Sequence, residues 1–138
     1  MKIFVAIFAL LITTLVVNAQ DSWKISLNKI TVLTARESNE LFNTKKIKSA
    51  DWKKNGYLEV SYKESTPGNW LHSLQFTDET GNQLLVKDGV TTAKIPVATL
   101  RKLYAGKKQV KIYMVDNPPN PMMGAPSRML HLGTLRLP

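Results

Sequence analysis

The heptapeptide Tyr57-Leu58-Glu59-Val60-Ser61-Tyr62-Lys63 decides the fold of this chain. Its apolar and polar side chains alternate strictly, so an extended backbone would place them on opposite faces. The same period of two returns over Lys108–Val115, where Val110, Ile112 and Met114 form the apolar face. Both segments are therefore predicted to be β-strands that pack one face against a core.

Further segments on both sides of these two repeat the pattern. Alternation covers Trp23–Leu27, Trp70–Thr77 and Gln83–Lys87, and turn residues separate the segments. The middle of Ser127–Leu137 is apolar on both faces, which predicts a strand in the interior of a sheet. After Pro96 the apolar residues follow a helical period, which predicts one short helix.

Together these segments predict an all-β domain, an immunoglobulin-like antiparallel β-sandwich of about seven strands with one short helix. A small closed barrel is the alternative. Apolar residues occupy odd positions from Trp23 to Leu27 and even positions at Ile30 and Val32, so the alternation shifts by one residue at Asn28-Lys29. A bulge or a tight turn would produce that shift, and we expect the chain to change sheets there.

The first nineteen residues have the composition of a secretory signal peptide. Lys2 is followed by an apolar run from Ile3 to Leu11, and Ala19 supplies a small residue before the expected cut. The run is short for a membrane span, which needs about 20 apolar residues, so a retained anchor is the less favoured alternative. We predict a signal peptide over 1–19, a single domain over 20–138, no transmembrane segment after cleavage, and a periplasmic or secreted protein.

Charge and cysteine content narrow the possible partners. The chain has no cysteine, and once Lys2 is removed 18 basic residues face 10 acidic ones, a net charge of about +8. This balance favours acidic partners, and for an exported protein an envelope glycan or an acidic protein is expected rather than nucleic acid. Lysines that only maintain solubility are the alternative explanation.

Motifs for common enzyme chemistries are absent from the sequence. It contains no phosphate-binding or dinucleotide-binding glycine loop, no HExxH motif and no calcium loop. Histidine occurs only at His72 and His131, and the adjacent carboxylates Asp78-Glu79 fall in a predicted hairpin tip, where we expect a solvated turn. The sequence therefore predicts no enzyme and no cofactor. A glycan-active enzyme stays open as an alternative and would need two carboxylates in one cleft.

Two groups of residues are candidates for binding. Trp52, Lys53 and Lys54 lie in a basic and aromatic stretch that suits an acidic glycan, although Trp52 could equally fill the core. The segment 117–126 is a long proline-rich loop, in which Pro119, Met122 and Met123 could form an adaptable apolar contact. The alternative for that loop is a rigid connection without a ligand.

A third group could bind metal. Met129 and His131 are two residues apart on the last predicted strand and share a face, and Met114 lies on the strand before it. Thioethers and imidazole favour Cu(I), so a periplasmic copper-binding protein is a second alternative function. Core packing is the more common role of methionine.

The C-terminal part of the chain also resembles known sequences. Lys111-Ile112-Tyr113, the proline-rich stretch after it and Arg128–Leu135 resemble the end of uncharacterised small secreted β-sandwich proteins of Gram-negative bacteria. The resemblance extends over most of the mature chain, including Gly56–Val60 and the hairpin around Asp78. It implies the fold and an envelope location, and it carries no activity. The expected function is thus an exported, non-enzymatic binding or assembly module of the envelope.

Overall fold

The computed structural model describes residues 20–66, 68–120 and 124–138, and the predicted signal peptide lies outside them. The described residues form nine strands and two short helices. The strands are β1 Ser22–Leu27, β2 Ile30–Ala35, β3 Thr44–Lys46, β4 Tyr57–Lys63, β5 Leu71–Thr77, β6 Gln83–Asp88, β7 Thr92–Pro96, β8 Gln109–Asn117 and β9 Arg128–Arg136. The helices are α1 Ser49–Lys53 and α2 Val97–Leu103.

Two sheets pack face to face. One has the strand order β2-β1-β4-β7 and the other β3-β9-β8-β5-β6. The prediction of an all-β sandwich is confirmed, with more elements than expected: nine described strands rather than about seven, and a second helix, α1. The sheets are not purely antiparallel, because the short strand β3 pairs parallel with β9. β9 lies between β3 and β8, in the interior of its sheet as its apolar sequence predicted.

The alternating strands supply the core. The exposure of β8 alternates residue by residue along its whole length, with Val110, Ile112 and Met114 fully buried. In the opposing sheet, Leu58, Val60 and Tyr62 of β4 are buried. A period of two therefore places one apolar face of each sheet against the other.

The shift of parity in the first strand comes from a tight turn. Asn28 and Lys29 have positive φ angles of 52° and 68°, which a two-residue hairpin turn with the native strand twist requires. β1 and β2 pair with each other in one sheet, so the expectation that the chain changes sheets at Asn28-Lys29 is wrong. The change comes later, at β3, which joins the other sheet.

The sandwich has two distinct ends. At the end that we call the helix end, the turn Asn28-Lys29 lies beside Tyr57, and Tyr57 pairs with Pro96, where α2 begins. The hydroxyl of Tyr104 donates a hydrogen bond to the carbonyl oxygen of Thr77 over 2.9 Å, which joins the end of α2 to the second sheet. The opposite end, which we call the loop end, contains the start of β1, the end of β4 and the connection between β8 and β9.

A buried aspartate holds the β5–β6 hairpin at the helix end. Asp78 is fully buried and accepts hydrogen bonds from the backbone and side chains of Thr80 and Asn82, and from Lys107 Nζ at 2.8 Å. The prediction of a solvated tip is therefore wrong for Asp78, while Glu79 is partly exposed. The interaction with Lys107 holds the pKa of Asp78 well below its usual range.

Candidate functional site

Most of the basic residues of the domain lie at or next to the helix end. The acidic residues at this end are Asp51, Glu59, Asp78 and Glu79. Asp51 lies 3.6 Å from Lys54, Glu59 lies 3.9 Å from Lys94, and Asp78 lies 2.8 Å from Lys107. The concentration of basic residues follows from the topology, because the turn after β1, both helices and the ends of β3 and β9 meet at this end. The basic residues are Lys29, Lys45, Lys46, Lys48, Lys53, Lys54, Arg101, Lys102, Lys107, Lys108 and Arg136.

A groove of about 290 Å³ opens among these residues. Tyr57 is 44 % exposed and gives the groove an aromatic surface. Lys94 Nζ lies 4.4 Å from the centre of the Tyr57 ring, within the range of a cation–π contact. We call this site the helix-end groove, and it is lined by Asn28, Lys29, Lys54, Asn55, Gly56, Tyr57 and Glu59.

Hydrogen bonds from two side chains fix the backbone beneath the helix-end groove. Arg101 of α2 donates to the carbonyl oxygens of Trp52 and Lys54 and to Asn55 Oδ1, over 2.8, 3.1 and 2.8 Å. Asn28 Nδ2 donates to the carbonyl oxygen of Asp51 over 2.9 Å. The groove is therefore already formed in the unbound protein, which lowers the entropic cost of binding.

Gly56 lies against the side chain of Asn28, between the groove and the turn. A Cβ atom there would lie 1.8 Å from Asn28 Oδ1, so any other residue would displace the Asn28 side chain. The backbone N–H of Asn28 donates to the carbonyl oxygen of Tyr57 over 2.9 Å, which keeps Lys29 and Tyr57 on the same groove. Sequence reasoning marked Asn55-Gly56 only as a turn and missed its part in shaping the site.

The three sequence candidates in this region have different environments. Lys53 and Lys54 are exposed at the end of α1, where a ligand could reach them. Trp52 is half-buried and packs against the core, as the alternative interpretation held. Tyr57, which belongs to the same basic and aromatic stretch of the sequence, and Lys29, which the sequence did not single out, complete the groove.

At the loop end, ionisable side chains form a continuous row across three strands. His72 on β5 lies between two carboxylates, with Nδ1 2.5 Å from Asp116 Oδ1 and Nε2 2.7 Å from Glu64 Oε1. Asp116 on β8 also accepts from Arg128 Nε and Nη2 on β9, over 3.1 and 2.6 Å. The register explains this row, because Asp116 is directly paired with both His72 and Arg128.

A cleft of about 320 Å³ adjoins this row of side chains. Asp116 at its base is buried, whereas 61 % of the Arg128 side chain is exposed. The residues that line this loop-end cleft are Glu64, Thr66, Gly68, Trp70, Asp116 and Arg128. Because these side chains come from segments far apart in sequence, no local motif could have revealed the cleft.

Asp21 extends the polar cluster at the loop end. It accepts hydrogen bonds from the hydroxyl of Tyr62 and, over 3.0 Å each, from the backbone and hydroxyl of Ser65. Burial raises the pKa of Asp21, but the hydrogen bonds from Tyr62 and Ser65 outweigh burial and leave that pKa below its usual value. Burial and the Asp21 contact raise the pKa of Tyr62. These contacts attach the start of β1 to the end of β4.

The cleft bears on the glycan-active alternative. Two carboxylates, Glu64 and Asp116, do line one cleft, as that chemistry requires. Both oxygens of Asp116, however, already accept hydrogen bonds from His72 and Arg128. The two carboxylates therefore differ in their surroundings: Asp116 is buried and paired with two side chains, whereas Glu64 contacts only His72.

The candidate copper ligands are divided between two faces of the sheet. Met114 is fully buried on the inner face, opposite Leu130. Met129 and His131 pair with Val115 and Tyr113 on the outer face, so they share a face as expected but lie on the side away from Met114. The three residues cannot bind one ion together, and the proposed set is corrected accordingly.

The environment of His131 is that of a packed side chain. Its Nε2 lies 2.8 Å from Thr134 Oγ1, and its ring makes an edge contact with Tyr113 at 5.4 Å. Burial lowers the pKa of His131, which favours the neutral imidazole. Over 20–66, 68–120 and 124–138, no group of three or more His, Cys, Asp or Glu side chains is arranged to hold a metal ion.

The proline-rich segment lies between β8 and β9 in the chain, and Asp116 and Arg128 on these two strands line the loop-end cleft. Pro119 is exposed, as a contact residue would need to be. Met122 and Met123 lie outside the described residues.

None of the helices in the described part of the chain is long and apolar enough to cross a membrane. Comparison with family models, curated proteins and solved structures gives no match for this chain.

Proposed function

We propose that this chain is an exported, non-enzymatic binding module of the bacterial envelope, and that it binds acidic glycans at the helix end. The observation that carries the proposal is the excess of lysine and arginine at the helix end, where Lys29 and Lys54 line the groove with the exposed ring of Tyr57. Lysine ammonium groups attract carboxylates, and an aromatic face stacks on a sugar ring.

The aromatic surface favours a glycan over an acidic protein as the ligand. A protein partner of ordinary affinity covers about 800 Å² on each side, with a buried apolar centre. The helix-end groove is small and has one exposed ring, so it suits one or two sugar units of a longer anionic chain. Neighbouring lysines such as Lys53 would contact the adjoining carboxylates of that chain.

A binding assay on anionic and neutral polysaccharides tests the proposal. We expect the protein to bind immobilised polygalacturonate and not dextran, and to dissociate as salt rises. Raising the salt from about 0.01 to about 0.1 M shortens the screening length from about 30 to about 10 Å, so binding between exposed charges should weaken strongly. Equal retention on dextran, or retention that ignores salt, would contradict an electrostatic glycan site.

Two variants of equal net charge separate a site from a general charge effect. The first replaces Lys29, Lys53 and Lys54 with glutamine. The matched control makes the same replacement at three exposed lysines outside the helix end, namely Lys24, Lys63 and Lys87. We expect the first variant to lose at least tenfold in affinity and the control less than threefold. If both lose equally, net charge alone governs binding, and the helix-end groove has no special role.

A further inference from the structure

Two charged side chains of the loop-end cleft, Arg128 and Glu64, keep an atom that makes no internal hydrogen bond among the described residues. Both ring nitrogens of His72 contact carboxylates, and both oxygens of Asp116 contact His72 or Arg128. Within the described ranges, no atom accepts a hydrogen bond from Arg128 Nη1, and none donates one to Glu64 Oε2. The residues lining the cleft therefore offer one cationic donor and one anionic acceptor.

The side chains that carry these two groups are held in place. Arg128 is fixed by two hydrogen bonds to Asp116, and Glu64 by its contact with His72. Binding would then cost little side-chain entropy. Trp70 adds an aromatic wall, and a volume of about 320 Å³ is at the small end of the range for ligand sites.

We infer that the loop-end cleft binds a small zwitterion, an amino acid or short peptide with a free ammonium and a free carboxylate. The ligand carboxylate accepts from Arg128, the ligand ammonium donates to Glu64, and Trp70 packs against the hydrocarbon portion. This site is separate from the helix-end groove, so the inference does not depend on the proposed glycan function.

A set of related ligands tests the requirement for both charges on the unmodified protein. Leucine and leucyl-leucine carry both charged groups, leucine methyl ester keeps only the ammonium, and N-acetyl-leucine keeps only the carboxylate. Titration calorimetry, together with tryptophan fluorescence, should show that one of the two zwitterions binds at least tenfold more tightly than either single-charge compound. Failure of both zwitterions to bind, or equal binding of the ester or the acetylated form, overturns the inference. Preferential binding of a neutral sugar such as N-acetylglucosamine overturns it as well.

Two substitutions then locate the binding. Arg128→Gln and Glu64→Gln should each weaken zwitterion binding at least tenfold, because each removes one of the two charge contacts. Lys63→Gln changes a neighbouring exposed residue of β4 and should leave the affinity within twofold. Glutamine at position 64 can still accept from His72, so that variant should retain the fold, which the thermal unfolding midpoint checks. Full affinity in a folded Glu64→Gln variant would overturn the assignment.

The test also separates this site from the glycan site. The variant with glutamine at positions 29, 53 and 54 should bind leucine or leucyl-leucine as the unmodified protein does. A parallel loss of zwitterion binding in that variant would place the ligand at the helix end and contradict the inference. Loss of glycan binding alone in that variant would support two independent sites.

Discussion

Gly133 packs against buried side chains of the facing sheet, and replacing it with alanine should destabilise the protein. A Cβ atom at this position would be 2.7 Å from Ile25 Cδ1 and 2.9 Å from Leu33 Cδ2. Both contacted residues belong to the facing sheet and are buried. Carbon atoms in a packed core are about 3.5–4.0 Å apart, so each contact is short by about 0.6 Å or more.

The expected cost follows from two opposing effects. Overpacking a well-filled core costs about 1–3 kcal/mol, because Ile25 and Leu33 can move only by displacing their neighbours. Alanine in a strand recovers about 0.5–1 kcal/mol of backbone entropy relative to glycine. Gly133 has no positive φ, so that gain applies in full. We therefore expect Gly133→Ala to lower the free energy of unfolding by about 1 kcal/mol, the difference between the middle values of the two effects.

Chemical denaturation with a matched control and a rescue variant provides the measurement. Gly68→Ala is the control, because a Cβ atom there meets nothing within 4 Å and stability should be unchanged or rise by up to about 1 kcal/mol. Ile25→Val removes the contacted Cδ1 atom, so it should cost less in the Gly133→Ala background than in the unmodified protein. A Gly133→Ala variant as stable as the unmodified protein, with no coupling to Ile25→Val, would refute this packing of the sheets.

Two further predictions concern the helix end. Acidification should destabilise the protein in part through Asp78, because folding lowers the pKa of this residue. Asp78 therefore contributes to the free energy of unfolding at pH values above the usual pKa range of aspartate. That contribution is lost as the pH falls below that range. Asp78→Asn should therefore lower the stability at neutral pH and make the stability decline less steeply in acid. Glu79→Gln should have a smaller effect on the neutral stability and on the acid decline. Thermal unfolding midpoints measured at several pH values test both variants. Tyr104→Phe removes the hydrogen bond to the carbonyl oxygen of Thr77 and should lower the free energy of unfolding by about 1 kcal/mol, measured by denaturant titration. An unchanged free energy of unfolding would show that this bond contributes nothing.

The sequence predicted the strands well because their pattern is local. β4 has the predicted bounds, Tyr57–Lys63, and the five-residue connection at 78–82 separates β5 from β6 as expected. Strict alternation needs no knowledge of partners, since it reports only that one face is buried. The sequence suggested a short strand around Lys46–Lys48, and β3 lies two residues earlier, at Thr44–Lys46. The helix α1 was not predicted, because five residues carry too little pattern. The positions of β3 and α1 depend on packing against β9 and α2.

The two candidate sites depend on contacts that no local pattern encodes. His72 meets Asp116 only because β5 and β8 pair in one particular register, 44 residues apart in the chain. The sequence pattern ended the strand before Asp116, whereas β8 continues to Asn117 and places Asp116 in the ladder. The copper hypothesis was wrong about Met114 for a related reason: adjacent strands bring residues close in space, but register decides which face each side chain occupies. Asp78 was misjudged because its burial depends on Lys107, from a distant segment.

The most direct test of the central claim is to map glycan binding onto individual residues. Backbone amide chemical shifts recorded during a titration with trigalacturonate should change most at Lys29, Asn55 and Tyr57, around the helix-end groove, and little at the loop end near Arg128. Absence of any shift at saturating glycan, or the largest shifts at the loop end, would contradict the proposal that the basic helix end is the glycan-binding surface.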